Sequence, residues 1–118
     1  MNKPKTIFLD IDGTLIFHHG NVSMQLSQKP ILLPGTIEKL NEWDKKGYNI
    51  ILTTGRRESC RKQTENQLSE LGIFYDYLIM GIGGGDRIIV NDRKPNSQED
   101  TAAFFCLQRN VGISSINI

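Results

Sequence analysis

The segment Asp10-Ile11-Asp12-Gly13-Thr14 sets two carboxylates two residues apart, where the chain leaves an apolar, β-branched run. At that spacing one carboxylate can attack an electrophile while the other, on the turn, handles the proton. Gly13 permits the sharp change of backbone direction. Two later segments also end apolar runs in polar residues: Thr53-Thr54-Gly55-Arg56 and Asn91-Asp92-Arg93-Lys94. In an open α/β sheet the carboxyl ends of parallel strands form the ligand crevice, so the three segments are expected to converge. Asp92 would then stand beside Asp10. Such a cluster of like charges is costly without a cation, and hard oxygen ligands favour magnesium. Thr54, with Gly55 and Arg56 beside it, sits where a strand gives way to a helix starting near Arg57, a place suited to a phosphoryl group. The chemistry these residues share is phosphoryl transfer.

The elements that must position them follow from periodicity. Thr6-Ile7-Phe8-Leu9-Asp10-Ile11 reads as a strand buried on both faces, as in the middle of a parallel sheet. Residues 14–34 are irregular and are expected to form a flap. Residues 36–46 carry Ile37, Leu40 and Trp43 at helical spacing, with Gly47 as the stop. Residues 48–53 form a second strand, and 57–71 a second helix with Cys60, Thr64, Leu68 and Leu71 on one stripe and Gly72 at its end. Tyr77-Leu78-Ile79-Met80 is a third strand and Ile88-Ile89-Val90 a fourth. Ser97-Gln98-Glu99-Asp100 looks like a helix cap, yet Phe104-Phe105-Cys106-Leu107 suits a buried strand equally well, so residues 101–109 stay open between the two. Residues 113–118 are a last candidate strand. Alternation of this kind predicts a single α/β domain over residues 1–118 with a mostly parallel sheet.

Composition narrows the function classes. With 118 residues the chain holds one domain, large enough for a core without staples. Lys plus Arg is 14 and Asp plus Glu is 13, for a net charge of +1. A duplex-binding protein carries a strong basic excess, so duplex nucleic acid is not the expected main partner. Cys60 and Cys106 lack metal-ligand spacing and are expected as small buried hydrophobes. No apolar stretch is long enough to span a bilayer, the N-terminal residues contain no secretory h-region, and the chain reads as cytoplasmic.

These motifs bear a resemblance. Phe8-Leu9-Asp10-Ile11-Asp12-Gly13-Thr14-Leu15 resembles the first signature of the haloacid dehalogenase superfamily of phosphohydrolases. Leu52-Thr53-Thr54-Gly55-Arg56 resembles its second, and Ile89-Val90-Asn91-Asp92 its acidic fourth. The resemblance covers residues 6–94 in order. It implies a Rossmann-like three-layer sandwich and a magnesium-dependent phosphomonoesterase. In that scheme Asp10 is the nucleophile that forms an aspartyl-phosphate, and Asp12 protonates the leaving oxygen and then activates water. Thr54 holds the phosphoryl oxygens, while Asp10, the Asp12 carbonyl and Asp92 bind magnesium. The family's third signature is a lysine in the loop that is here Gly81-Ile82-Gly83-Gly84-Gly85. Lys94 is the preferred replacement for that positive charge and Arg56 the other candidate.

Only 42 residues separate Asp12 from Thr54, and 38 separate Thr54 from Asp92, which leaves no room for a cap domain. Capless relatives act on large substrates or oligomerise so that a neighbour closes the site. The glycine-rich loop followed by Val90-Asn91-Asp92-Arg93-Lys94-Pro95 also looks like small bacterial members associated with surface-polysaccharide synthesis, which points to a sugar phosphate or similar metabolite. The alternatives are a phosphatase of nucleic-acid ends or phosphoproteins, and a phosphate-binding regulatory module without catalysis. A signalling receiver fits less well, because it carries its phosphorylated Asp on a later strand. The glycine run is not a dinucleotide fingerprint, since a strand rather than a helix is expected after it. His18 and His19 belong to the flap, and Arg87 is expected at the far end of its strand from the site.

Overall fold

The computed structural model describes residues 3–118. Three parallel strands, β1 (Thr6–Asp10), β2 (Asn49–Thr53) and β3 (Tyr77–Ile79), form a sheet in the order β1-β2-β3. The register pairs Asp10 with Thr53 and Thr53 with Ile79, so the carboxyl ends of all three strands lie at one edge. The helices are α1 (Val22–Ser27), α2 (Thr36–Lys45) and α3 (Arg61–Glu70), the last preceded by a 3-10 turn at Glu58–Cys60.

Helix α2 forms where the sequence predicts it. Leu40 and Trp43 are fully buried on its inner face, Glu38 lies in its first turn and Lys45 in its last, each favourable to the helix dipole. Gly47 ends it at φ 77°. Helix α3 buries Thr64, Gln67 and Leu68, and Gly72 at φ 76° stops it. Its α-helical start at Arg61 lies later than the expected residue 57, because the turn between them is wound tighter. Helix α1 lies inside the segment expected to be irregular. The Asn21 side chain caps it by accepting from Met24 N at 2.9 Å, and six residues are too few for a periodic signal.

One face of the sheet is buried and the other is open. Ile7, Leu9, Ile50, Leu52 and Leu78 join the helices in the core, whereas Phe8, Tyr77 and Ile79 are 53%, 65% and 42% exposed. The expectation that β1 is covered on both faces therefore fails within this chain. The α/β architecture holds, with its outer layer missing.

The last third of the chain supplies no such layer. Residues 88–90 form no strand, and residues 97–109 form neither of the elements considered for them. From residue 83 to residue 106 every residue except Ser97 is exposed. This arm turns back on itself at residues 94–97, where Ser97 N donates to Lys94 O at 3.1 Å and Asn96 takes φ 63°. Asn91 donates to the Thr101 hydroxyl at 3.0 Å and Arg93 pairs with Asp100 at 2.9 Å. Ser97 does accept from Glu99 N at 3.1 Å, as a cap would, but no helix follows. Cys106 is exposed and Cys60 half-buried, so neither is the buried hydrophobe expected; both are free thiols.

After the arm the chain returns to the body. Residues 113–118 form a turn rather than a strand, with Ile113 and Ile116 in the core. Ile113 N donates to Pro34 O at 2.9 Å. The two segments touch so closely that a Cβ on Gly112 would lie 2.4 Å from Pro34 O, at a φ of +91°. No helix is long and apolar enough to cross a membrane among the described residues. Gly112→Ala is therefore expected to cost more than about 2 kcal/mol in urea unfolding, combining left-handed strain with a backbone clash. Gly47→Ala, at φ +77° with no atom within 4 Å, is expected to cost only about 1 kcal/mol. Equal costs would contradict the close approach.

Candidate active site

Asp10 ends β1, and its carboxylate accepts a hydrogen bond from the Thr14 hydroxyl at 3.4 Å. Desolvation at the strand end pushes this carboxyl above its ordinary value, and the neighbouring Asp12 adds to the rise. The Ile11 N–H, Arg87 and Thr14 oppose it. Arg87 is not at the far end of a strand but at the foot of the arm, close enough to Asp10 for its charge to act there.

Asp12 is held differently. Arg56 Nε donates to its Oδ2 at 2.9 Å and Nη2 to its Oδ1 at 2.7 Å, a bidentate pair. Gln25 Nε2 from α1 also donates to Oδ1, at 2.6 Å. Arg56 is only 3% exposed, and its Nη1 donates to Thr64 Oγ1 at 3.0 Å and to Gln67 Oε1 at 2.7 Å, both on α3. Four of its five N–H donors are thus taken within the protein.

Thr54 is buried beside this network. Its hydroxyl accepts from Arg56 N at 3.1 Å, which leaves the O–H proton for donation. Its N–H donates to Ile79 O at 3.0 Å and its carbonyl accepts from Ile82 N at 3.1 Å, so the turn after β2 is tied to the turn after β3. Gly55 faces Ile82 O so closely that a Cβ would stand 3.0 Å from it.

A family model for the polynucleotide kinase PNKP phosphatase domain, of haloacid dehalogenase type, matches residues 4–83. The chain belongs to this family. No curated protein matches it. Among solved structures, a Pnkp1/Rnl/Hen1 complex is 29% identical with a TM-score of 0.59, over 72% of this chain and 30% of that one. A Pnkp1/Rnl/Hen1 RNA repair complex is 32% identical with a TM-score of 0.57, over 70% and 27%. The chain therefore spans less than a third of these relatives' length. An MCSG target from Vibrio cholerae shares the fold at 19% identity and a TM-score of 0.53, over 74% of this chain and 79% of that one. The fold and the phosphatase class agree with the resemblance read from the motifs.

In this phosphatase domain Asp10, Asp12, Thr54, Gly55 and Arg56 come together as the sequence predicts. Asp92 and Lys94 do not. Both lie on the exposed arm, because residues 88–90 find no strand to pair with in their own chain. Arg56 is also not a ready substrate ligand, since its guanidinium is turned inward to Asp12. Among the described residues no group of three His, Cys, Asp or Glu side chains is placed to hold a metal ion. With the Asp12 carboxylate occupied by Arg56 and Gln25, one chain offers Asp10 and a backbone carbonyl. That donor set alone does not fit magnesium, which takes near-octahedral oxygen ligands.

Three partners escaped the sequence reading. Gln25, 4% exposed, gave no signal, as nothing marks one glutamine in a short polar helix. Thr64 was counted as an apolar position on the α3 stripe, and Gln67 stands three residues after it, so the pair could have been read as a polar patch facing Arg56. The flap histidines hydrogen-bond residues that border the site, and among the described residues neither reaches Asp10 or Asp12. His18 N donates to Asn110 Oδ1 at 2.7 Å. His19 N donates to Gln25 Oε1, and its Nε2 lies 3.3 Å from Lys29 O.

Removing one partner of a buried ion pair leaves a buried charge uncompensated, so Arg56→Met is expected to cost roughly 3 kcal/mol in urea unfolding. Breaking the exposed Arg93–Asp100 pair with Arg93→Ala should cost less than about 1 kcal/mol. A small loss for Arg56→Met would show that the network does not hold the site together. A second prediction concerns charge. Because folding raises the Asp10 carboxyl, its ionisation costs stability as pH rises through the folded value. Asp10→Asn should therefore raise the melting temperature at pH 7 in the presence of EDTA. The gain should vanish below pH 3.8, the ordinary carboxyl value, where both states are protonated. A melting temperature unchanged at pH 7 would contradict this.

Proposed function

We propose that this domain hydrolyses phosphate monoesters through an aspartyl-phosphate on Asp10. The observation that carries the reading is the division of labour between two carboxylates at the end of β1. Asp12 is clamped by Arg56 and Gln25, while Asp10 carries only the hydroxyl of Thr14 as a side-chain partner. In the first step an Asp10 oxygen attacks phosphorus, the ester P–O bond breaks, and its electron pair leaves on the alcohol oxygen, which takes up a proton. In the second, water attacks the same phosphorus, loses a proton, and the bond to Asp10 breaks to release phosphate and the free carboxylate. Asp12 is the proton carrier of this reading, a role that requires it to exchange its contacts with Arg56 and Gln25 during turnover. The Thr54 hydroxyl proton and the Gly55 N–H are donors for the phosphoryl oxygens. Gln25 on α1 couples the flap to the same carboxylate, so closure of residues 14–34 and the state of Asp12 are linked.

The substrate of this reading is a sugar phosphate or a similar small metabolite, held in an open site that a neighbouring chain closes. A second reading is a phosphate at a nucleic-acid end. It is favoured by the family match to a polynucleotide kinase phosphatase domain and by the RNA repair complex among the similar structures. Relative kcat/KM on sugar phosphates and on 3′- and 5′-phosphorylated oligonucleotides separates the two.

Asp10→Asn should reduce turnover of p-nitrophenyl phosphate by at least ~10³-fold, as loss of a nucleophile does. Retained turnover would overturn the mechanism.

A further inference from the structure

Two unpartnered surfaces of this chain are complementary. The first is the sheet. Among the described residues β1 has β2 on one side and no strand on the other, so one edge of Thr6–Asp10 carries unpaired backbone groups. The open face of the sheet exposes Phe8 on this strand and Tyr77 and Ile79 on β3, two strands away. The second is the arm, residues 83–106. Its Ile88, Val90, Phe104 and Phe105 are 80%, 91%, 84% and 56% exposed. Together with Ile89, these side chains present roughly 700 Å² of largely apolar surface, more than an isolated soluble chain ordinarily leaves in water.

The arm does not fold back on its own sheet. The chain has a radius of gyration of 15.1 Å and a longest dimension of 51 Å, against a radius of about 13.5 Å for a compact chain of this length. Both feet of the arm are fixed at the catalytic end of the body. Gly81 N donates to Arg56 O at 2.7 Å, and Asn110 N donates to Gly13 O at 2.8 Å. The arm springs from the mouth of the site through Gly83-Gly84-Gly85, none of which has an atom within 4 Å of a would-be Cβ. Asp92 stands nine residues past Gly83, a reach of up to roughly 30 Å in extended chain.

We propose that the arm of one copy docks on the β1 edge and open sheet face of a second copy and delivers Asp92 to that copy's Asp10. Each active site is then built from two chains. Strand-like residues 88–90 supply the missing neighbour of β1, and Phe104 and Phe105 cover the open face. A two-fold arrangement makes the exchange reciprocal, and the roughly 700 Å² exposed on the arm is comparable with the ~800 Å² per partner typical of specific complexes. The same movement supplies the third oxygen ligand that one chain lacks for a hard divalent cation. Lys94, two residues on, travels with Asp92 and brings the positive charge whose place in the Gly81-to-Gly85 loop is empty of lysine. The interface itself does not depend on the proposed reaction; only the role given to Asp10 does.

Sedimentation equilibrium of the full chain at micromolar concentration should show a dimer or larger assembly, and the double substitution Val90→Asp, Phe104→Asp should give folded monomer. A monomeric wild type overturns the proposal. Mn²⁺ binding followed by electron paramagnetic resonance tests the shared site without reference to turnover. Asp10→Asn and Asp92→Asn chains should each bind no Mn²⁺ when alone. Co-expressed in equal amounts they should regain about a quarter of the wild-type sites, because half the dimers are mixed and each mixed two-fold dimer holds one intact site. No recovery in the mixture, or no Mn²⁺ bound by the wild type, overturns the delivery of Asp92 across the interface. Failure of the phosphatase reading would instead appear as a wild type that binds Mn²⁺ and dimerises but turns over no phosphate ester.

Discussion

The bidentate pair between Arg56 and Asp12 is the interaction on which the rest of the site depends. It joins the turn after β1 to the turn after β2, and through Thr64 and Gln67 it anchors both to α3. Gln25 extends the same network to the flap. A guanidinium this deeply buried is tolerable only when its donors are satisfied, and that requirement fixes four separate segments relative to one another. The geometry in turn leaves Asp10, two residues before Asp12, pointing from the strand end with few partners of its own.

This arrangement explains how two carboxylates so close in sequence come to differ. Asp12 sits within an array of donors, whereas Asp10 meets desolvation and the charge of its neighbour. The cost of an ionised Asp10 is stored in the folded chain, as is common where a reactive group must be kept ready. Fold and phosphatase family follow from the body of the chain, residues 4–83. The arm lies beyond it and holds what the body lacks: a neighbour for β1, a cover for the open face, and a third carboxylate.

Much of the body was legible in the sequence. Strands ending in Asp10 and Thr53, helices stopped by Gly47 and Gly72, and the meeting of Asp10, Asp12 and Thr54 all follow from apolar runs and turn chemistry, although β1 is covered on one face and not on two. The role of Arg56 was only partly legible, because Thr64 falls on the stripe that periodicity assigns to the core while Gln67, three residues on, stands outside it. Helix α1 was missed because a cap at Asn21 and one buried glutamine leave no hydrophobic period. The arm was misread for a different reason. The run Ile88-Ile89-Val90 has the composition of a core strand, but composition records that a segment needs a partner and not which chain provides it. The convergence expected of Asp92 was an inference from a closed sheet, and a single copy of this chain leaves the sheet open.

The proposed chemistry requires that Asp10, and not Asp12, carry the phosphoryl group. Rapid acid quench of the enzyme with a ³²P-labelled phosphate monoester, followed by peptide mapping, tests it most directly. An acid-stable, hydroxylamine-labile label is expected, and borohydride reduction followed by fragment sequencing should show homoserine at Asp10 and not at Asp12. A label on another residue, or turnover without any covalent label under single-turnover conditions, would contradict it.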